Sequence, residues 1–382
     1  MSRADLHELA LRYRPEFPIF ETAIYLNTCS LGALSRRARG ALDEFADLWS
    51  MMGASAWYDH WLHAATEARR AFARLVRADP EEVALAPSVS GGLSAIASAL
   101  DYGTRPKVVT TELDFPTLVY QFRARRREGV ETVVLPSPNG ITVPVESFVE
   151  AVDDRTALVA TSHVYFATGA IQDVPAIADL AHRHGALCLI DAYQSTGQIP
   201  VRARELGVDV LLSGTLKWLL GGPGLAFLYV RRELIEDLEP AIASWFSVRD
   251  QFAFDPRRLD LHGDARRFQL GTPSVPTIYT ALAGLNLIEE IGEDRIRRRV
   301  SALTEALIER AAELGMRVRG PDRAEERSGI VMIEHADPAA AVRGMRAEGI
   351  IVDWRPGGVR LSPHFYNTTE DGDRAMEVLS AG

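Results

Sequence analysis

The sequence predicts an α/β protein, in which a large domain with a mostly parallel sheet flanked by helices precedes a smaller C-terminal α/β domain. Between residues 83 and 230, short β-branched runs alternate with segments of helical periodicity. The runs are apolar on both faces, which is typical of strands covered by helices on both sides. After about residue 260 a long amphipathic helix and shorter strands follow. A chain of 382 residues, 47% of them hydrophobic, can bury one large and one smaller core.

Six strands are predicted in the large domain, at residues 107–112, 131–136, 157–164, 186–192, 208–214 and 225–230. A helix over 174–185 separates the third strand from the fourth, and Gly185 ends it, as glycine commonly does after a helix. Ligands bind beyond the carboxyl ends of parallel strands, so the residues that follow these strands are the first candidates for a site.

The rest of the chain predicts a second, smaller set of elements. These are helices at 293–315, 337–349 and 369–379, and strands at 316–320, 329–335, 350–354 and 358–362. We therefore expect three parts: an N-terminal segment (1–22) that packs on the small domain, a large domain (23–262) and a small domain (263–382).

Composition narrows the classes of function. The net charge of −10 argues against a nucleic-acid partner, because such proteins usually carry a basic face. No apolar run reaches the roughly 18 residues of a membrane span, and the first residues lack the apolar stretch of a signal peptide. Two distant cysteines, Cys29 and Cys188, indicate a reducing compartment. We expect a cytoplasmic protein, and no metal site, since the paired histidines are better explained as solvated helix residues.

Lysine is rare in this sequence. Of 42 basic residues, only Lys107 and Lys217 are lysines. Lys217 follows the strand 208–214, and Asp191 lies at the end of the strand 186–192, so the two side chains could simply form a salt bridge. An arginine would serve that purpose, whereas only a lysine can lose its proton and attack a carbonyl group. Lys217 is therefore a candidate for covalent catalysis, and Lys107, which opens a strand, is expected to be a solvated strand end.

Pyridoxal 5′-phosphate (PLP) requires such a lysine, an acid at its ring nitrogen, a phosphate cradle and usually an aromatic face. Ser88, Ser90, Gly91 and Gly92 precede a predicted helix, whose free N–H groups favour an anion. Phe115 follows the strand 107–112. Taken singly these signals are weak, because serine–glycine caps are common and core packing explains Phe115 equally well.

Several motifs together resemble the class V aminotransferase group of PLP enzymes, which have fold type I. The main ones are "DFPT", "IDAYQSTGQIPV" and "SGTLKWLLGGPGLAFLYV", and further matches extend from about residue 24 to 370. The kynureninase branch is the most similar, and some features are similar to cysteine desulfurases.

The resemblance implies roles for individual residues. Lys217 would bind the cofactor aldehyde as a Schiff base, Asp191 would hold the ring nitrogen and Gln194 would lie near the ring oxygen. Phe115 would stack on the ring, and Val89 and Ser90 would hold the phosphate. The other residues that it assigns to the cofactor are Gly91, Ser162 and Thr215.

The resemblance also implies a homodimer with shared active sites. Trp245 and Thr272 match positions that complete the phosphate site of a neighbouring subunit. A simpler interpretation makes Trp245 a core or rim aromatic and Thr272 the N-cap of a helix at 275–285. Arg360 matches the arginine that clamps the substrate carboxylate, for which a bidentate guanidinium is suited, and Asn27 is assigned to the substrate.

Three departures from kynureninases bear on the reaction. Leu118, Gln194 and Leu216 stand where those enzymes have aspartate, histidine and tyrosine, so kynurenine itself is not the expected substrate. A persulfide is not expected either, because residues 350–360 contain no cysteine and Cys29 only borders the expected pocket.

The sequence therefore predicts a PLP-dependent enzyme that acts on an amino acid through a carbanion at Cα. Cleavage of the side chain at a C–C or C–S bond, without a persulfide, is the favoured outcome. A class V aminotransferase or an amino-acid epimerase is the enzymatic alternative, and a PLP-binding protein without turnover is the alternative outside catalysis.

Overall fold

The computed structural model describes residues 3–381 of the chain. Within that range the α-helices are α1 (Arg3–Tyr13), α2 (Arg36–Met52), α3 (Leu62–Val76), α4 (Val89–Ser98), α5 (Pro116–Ala124), α6 (Val145–Ala151), α7 (Val174–Arg183), α8 (Val275–Ile291), α9 (Glu293–Glu313), α10 (Pro338–Ala347) and α11 (Thr369–Ala381). None of these described helices combines the length and the apolar character needed to cross a membrane.

The strands form three sheets. They are β1 (Ile24–Tyr25), β2 (Val83–Ala86), β3 (Lys107–Thr111), β4 (Glu131–Leu135), β5 (Thr156–Ser162), β6 (Leu187–Asp191), β7 (Val210–Gly214), β8 (Ala226–Val230), β9 (Val331–Glu334), β10 (Ile350–Ile351), β11 (Asp353–Arg355) and β12 (Gly358–Leu361). The seven-stranded sheet has the order β2-β8-β7-β6-β5-β3-β4. Only β8 runs antiparallel to its neighbours, so the predicted mostly parallel sheet is confirmed.

All six strands predicted for the large sheet are present as β3 to β8. The sequence did not indicate β2, whose four residues are too few to give a clear pattern. Gly185 has a φ of 65°, which allows the chain to turn away after α7 as expected.

The C-terminal strands differ more from the expectation. The strand predicted at 316–320 is wrong, since only an isolated bridge from Val318 to Ile333 forms there. The strand predicted at 350–354 is divided between two sheets: β10 pairs in parallel with β1, whereas β11 joins the three-stranded sheet β11-β12-β9. A local pattern of alternating residues cannot reveal this, because β1 lies more than 300 residues earlier.

The helices cover both faces of the large sheet and the outer face of the small one. α8 packs against α2 and α3, and α9 packs against α11. The N-terminal segment contacts the C-terminal part, where Arg14 Nη1 lies 2.6 Å from Asp371 Oδ2. The boundaries after residues 22 and 262 remain predictions.

Candidate active site

A cavity of about 330 Å³ lies at the carboxyl edge of the large sheet, where β3, β5, β6 and β7 end. It brings together eight of the residues that the sequence assigned to a site. They are Val89, Ser90, Phe115, Ser162, Asp191, Gln194, Lys217 and Arg360. Cavities of this size commonly hold a small cofactor or ligand.

Asp191 and Lys217 occupy adjacent strand ends at the cavity floor. Asp191 is the last residue of β6, and its Oδ1 accepts a hydrogen bond of 2.9 Å from the Tyr193 amide. Lys217 Nζ lies 4.1 Å from the centroid of the Tyr193 ring. Gly214, at the end of β7, makes this arrangement possible, since a Cβ there would overlap the tyrosine ring.

Burial moves the pKa values of these two groups towards each other. It raises the pKa of Asp191 to about 6, although the Tyr193 amide and Lys217 oppose the shift. It lowers the pKa of Lys217 to about 8, against the attraction of Asp191. Lys217 lines the cavity. Among the described residues none forms a hydrogen bond or ion pair with its Nζ, which leaves the amine available for chemistry.

The first turn of α4 forms one wall of the cavity. Ser88 caps this helix, and its Oγ accepts a hydrogen bond of 3.0 Å from the Gly91 amide. The amide of Gly91 is therefore already used, while those of Val89 and Ser90 remain for an anion. The Ser90 hydroxyl lies 3.4 Å from Thr117 Oγ1, which also lines the cavity.

Phe115 covers the opening, and a buried carboxylate fixes the loop that carries it. Asp114 Oδ1 accepts a hydrogen bond of 2.6 Å from the Ser162 amide, and its Oδ2 accepts one of 2.9 Å from the Thr111 amide. The Phe115 ring is 45% exposed and meets the Phe166 ring edge-on at 5.3 Å. Asp114 thus ties the loop after β3 to the end of β5.

The loop that contains residues 29–32 borders the cavity beside Lys217. The Gly32 amide donates a hydrogen bond of 2.7 Å to the Leu216 carbonyl. A Cβ at Gly32 would overlap the Lys217 carbonyl oxygen, so only glycine fits this close approach. Cys29 and Ser30 from the same loop line the cavity.

Arg360 lies on the opposite side, in the hairpin of β11 and β12. It is 1% exposed, and Asp353 faces it across the hairpin, with Oδ2 2.9 Å from Arg360 Nη2. Arg360 Nη2 also donates to Ser30 Oγ at 2.7 Å, and its Nη1 donates to the Phe166 carbonyl at 2.6 Å. Its Nε–H is buried without a partner among the described residues. Asp353 compensates part of the guanidinium charge, and Arg360 lines the cavity, where the guanidinium would pair with a carboxylate.

Five assigned residues lie outside the cavity lining. Gly91 is turned into the helix, and the Thr215 hydroxyl donates to the Gly222 carbonyl at 2.6 Å. Asn27 pairs with Ser362 through a β-bridge and leaves its Oδ1 without a partner among the described residues.

Trp245 and Thr272 are the other two. Trp245 is 40% exposed and stacks on Phe254, with ring centroids 5.9 Å apart. Thr272 is exposed, and the N-cap of α8 is Ser274, so the simpler interpretation of Thr272 as a helix cap is wrong.

Sequence reasoning missed several residues that line or support the site. They are Asp114, Thr117, Phe166, Tyr193, Asp353 and Arg355. The strand period offered a signal for two of them. Asp353 and Arg355 are two residues apart, and Asp353 lies opposite Arg360 in the hairpin register. The other contacts depend on loops whose positions are set by tertiary packing.

The three positions that differ from kynureninases have different surroundings. Leu118 is 2% exposed and belongs to the hydrophobic core beneath α5. Leu216 and Gln194 line the cavity. An apolar side chain therefore occupies the position directly before Lys217.

The fold and this site define a PLP-dependent enzyme of fold type I. The sequence profile described as "Aminotransferase class-V" matches residues 51–374. The chain belongs to the class V aminotransferase family.

Three similar proteins carry three different names. The chain is 35% identical over 379 residues to the "Uncharacterized aminotransferase YcbU" of Bacillus subtilis, covering 98% of this chain and 99% of that one. It is 30% identical over 393 residues to a kynureninase of Bacillus anthracis, covering 98% and 92%. The cystine C–S lyase C-DES shares the fold: a variant with glycine covalently linked to its PLP cofactor has a TM-score of 0.89 at 20% identity, covering 96% and 98%.

The cofactor of this protein is PLP, and the residues present fit it. Lys217 has a free amine, and the Oδ2 atom of Asp191 has no hydrogen bond to another described residue. The amides of Val89 and Ser90 provide an anion site, and Phe115 provides an aromatic face. Each requirement of the cofactor is thus met by a side chain or amide in one cavity.

Proposed function

We propose that this enzyme acts on a free amino acid through a carbanion at Cα and cleaves the side chain at a C–C or C–S bond. One observation carries the proposal. Lys217, whose amine is free, Asp191 and Arg360 line the same cavity. This arrangement suits a substrate that carries both an amino and a carboxylate group.

Each residue has a defined task. Arg360, held by Asp353 and Ser30, binds the substrate carboxylate. Asp191 keeps the ring nitrogen of the cofactor protonated, and the cofactor then supplies the electron sink for the charge that forms at Cα. The amine of Lys217, with its lowered pKa, removes and returns protons at the substrate. The rings of Phe115 and Phe166 limit the access of water.

Cleavage of the side chain is supported by relatives named kynureninase that match 98% of this chain at 29 to 30% identity. Kynurenine itself is not the proposed substrate, because Leu216 and Gln194 replace polar or ionisable groups of those enzymes inside the cavity. Phe166, Val164 and Arg355 also line the cavity. We propose a smaller amino acid whose side chain is released without a persulfide.

The surroundings of Cys29 support the absence of a persulfide step. Its amide donates a hydrogen bond of 3.0 Å to Ser362 Oγ, and its carbonyl accepts one of 3.0 Å from Gln194 Nε2. The residue is 1% exposed. A cysteine that carries sulfur to an acceptor has to move, and this one is fixed on both sides. Cys188 is buried in β6, where burial raises the pKa of its thiol.

Transamination is the second candidate function. The relative at 35% identity is named an aminotransferase, and the same carbanion at Cα serves both reactions. A proton returned by Lys217 to a different atom would convert one outcome into the other, and epimerisation requires only its return to the other face.

A screen of amino acids distinguishes these outcomes. The holoenzyme is incubated with each of the common amino acids, and keto acid, ammonia, sulfide and shortened amino acid are measured. Ammonia together with a keto acid, or a shortened amino acid, indicates cleavage. A keto acid that forms only when a second keto acid accepts the amino group indicates transamination, and loss of optical activity alone indicates epimerisation. Lys217→Ala protein serves as the blank.

We also propose a homodimer whose subunits share their active sites. Among the residues that the structure describes, only neutral donors from α4 and Thr117 surround the expected position of the phosphate, so further donors are needed for its double charge. Trp245 lies in an exposed aromatic patch with Phe252 and Phe254, which suits burial against a second copy.

Mixed dimers test the shared site. Inactive Lys217→Ala subunits are combined with inactive Trp245→Ala or Thr272→Val subunits under conditions in which subunits exchange. A shared site regenerates one intact centre in each mixed dimer, so activity returns. A fully active monomer, or no recovery after exchange is verified by mass, contradicts sharing.

A further inference from the structure

Two hydrogen-bond partners, one a donor and the other an acceptor, hold the side-chain amide of Gln194. The indole Nε1–H of Trp218 donates to Gln194 Oε1 at 2.8 Å, and Gln194 Nε2 donates to the Cys29 carbonyl at 3.0 Å. An indole nitrogen can only donate and a backbone carbonyl can only accept. The orientation of the amide is therefore fixed, because the flipped amide would lose both hydrogen bonds. Its NH₂ group would then face the indole N–H of Trp218, and its oxygen would face the Cys29 carbonyl.

One hydrogen of the amide remains unused. An amide nitrogen carries two hydrogens, and the structure describes a single acceptor for Gln194 Nε2, the Cys29 carbonyl. Gln194 is 5% exposed and lines the cavity that holds Lys217 and Asp191. The group that Gln194 offers to this cavity is thus a hydrogen-bond donor.

Residues from the C-terminal part of the chain pack against Trp218. The indole is fully buried and meets the His364 ring edge-on, with centroids 5.3 Å apart. Burial lowers the pKa of His364 to about 3, so this ring is neutral. On another side, the indole packs close to the Gly329 backbone, since a Cβ at that residue would lie 3.0 Å from the indole Cη2 atom. Gly329 also donates its amide to Gln198 Oε1 at 2.7 Å, and Gln198 binds the Gln194 carbonyl.

We propose that Trp218 is a positioning residue that fixes the Gln194 amide with its N–H towards the oxygen of the bound cofactor ring. The inference rests on the proposed function, because it takes from it the position of that ring above Asp191. Trp218, the residue next to Lys217, would thus influence the charge of the cofactor in addition to packing in the core.

The expected consequence is a shift in the protonation of the lysine-bound cofactor. The proton that titrates there is shared between the imine nitrogen and the ring oxygen. When it leaves, the full negative charge stays on the oxygen, so a donor at that oxygen lowers the pKa. The test variants preserve the charged and titratable groups around the cavity, which are Cys29, Asp114, Asp191, Tyr193, Lys217, Asp353, Arg355 and Arg360.

The test removes the indole N–H without changing its shape. Trp218 is replaced by 3-benzothienylalanine, whose sulfur replaces the N–H group, and the absorbance of the lysine-bound cofactor is titrated with pH. We expect its apparent pKa to rise by about one unit, the size of one lost neutral hydrogen bond. Gln194→Leu should give a similar rise, and adding the Trp218 replacement to Gln194→Leu should give no more.

Trp61 provides the matched control. It is 6% exposed, and its indole nitrogen has no hydrogen-bond partner among the described residues. The same replacement at Trp61 should leave the titration unchanged. The inference is overturned by an unchanged pKa in the Trp218 variant, by additive shifts in the double variant, or by loss of cofactor binding from the Trp218 replacement alone. If the unmodified protein has no absorbance band that depends on Lys217, the proposed function itself fails.

Discussion

The two lysines of this chain lie at opposite edges of the same sheet, and their surroundings differ in every respect. Lys107 opens β3 at the amino edge, where its Nζ lies 2.6 Å from Asp153 Oδ2 and donates to the Ala151 carbonyl at 3.0 Å. Lys217 follows β7 at the carboxyl edge, has no such partner within residues 3–381, and lies over the Tyr193 ring. The paired lysine lowers the pKa of Asp153, whereas burial lowers the pKa of Lys217 itself to about 8.

The difference explains why a chain that otherwise uses arginine retains a lysine at residue 217. At residue 107 the positive charge compensates a carboxylate, and an arginine could do the same. In the proposed reaction the amine of Lys217 has to lose its charge, which a guanidinium does not do in proteins. The expectation of Lys107 as a solvated strand end was only partly right, because its side chain is 12% exposed and ion-paired.

The largest effect is expected from Lys217→Arg. We expect loss of the absorbance band of the bound cofactor and a fall in activity of more than about 10³-fold, because the variant removes both the covalent attachment and the proton carrier. Spectra and turnover of the purified protein provide the measurement. Lys107→Arg is the matched control and should retain both, and an active Lys217→Arg enzyme would contradict the assignment.

Asp191→Asn should have the next largest effect. The amide cannot keep the ring nitrogen protonated, so we expect kcat to fall by about 10²-fold while KM changes little. Steady-state kinetics on the substrate found in the screen measure both constants. A variant with normal kcat and a raised KM would place Asp191 at the substrate rather than at the cofactor.

A third expectation concerns pH. Only the neutral amine attacks the cofactor aldehyde, and its fraction rises with pH until pH exceeds the pKa of about 8. The rate at which apoenzyme takes up PLP should therefore rise about tenfold per pH unit between pH 6 and 7 and level off above about pH 8. Stopped-flow absorbance measures it. A rate that still climbs steeply at pH 10 would mean that burial does not lower the pKa of Lys217.

The smallest effect is expected from Lys107→Gln. It removes the ion pair with Asp153, whose side chain is 50% exposed, so solvent screens much of the interaction. We expect the free energy of unfolding to fall by only about 0.5 kcal/mol in urea denaturation, with turnover unchanged. A loss of several kcal/mol would show that the amino edge of β3 depends on this pair.

The sequence predicts those parts of the structure that depend on residues close together in the chain, and it does not predict contacts between distant residues. The strands β3 to β8 and the positions of Asp191 and Lys217 at their ends could be predicted, because apolar runs and strand order are local patterns. Two partners of Arg360 could not, since Ser30 and Phe166 come from distant loops. Tyr193 follows Asp191 closely, yet its place under Lys217 depends on the missing Cβ of Gly214.

The contact between Ser30 and Arg360 has a consequence for the synthesis of the protein. These residues are separated by 330 positions, and β1 pairs in parallel with β10 across a similar distance. On the ribosome, the large sheet can form while the chain is still growing, because its strands end at Val230. The cavity wall that contains Arg360 is assembled only when almost the whole chain has emerged. A truncated or stalled chain would thus carry the lysine and its acid, but would lack Arg360, which we propose holds the substrate against them.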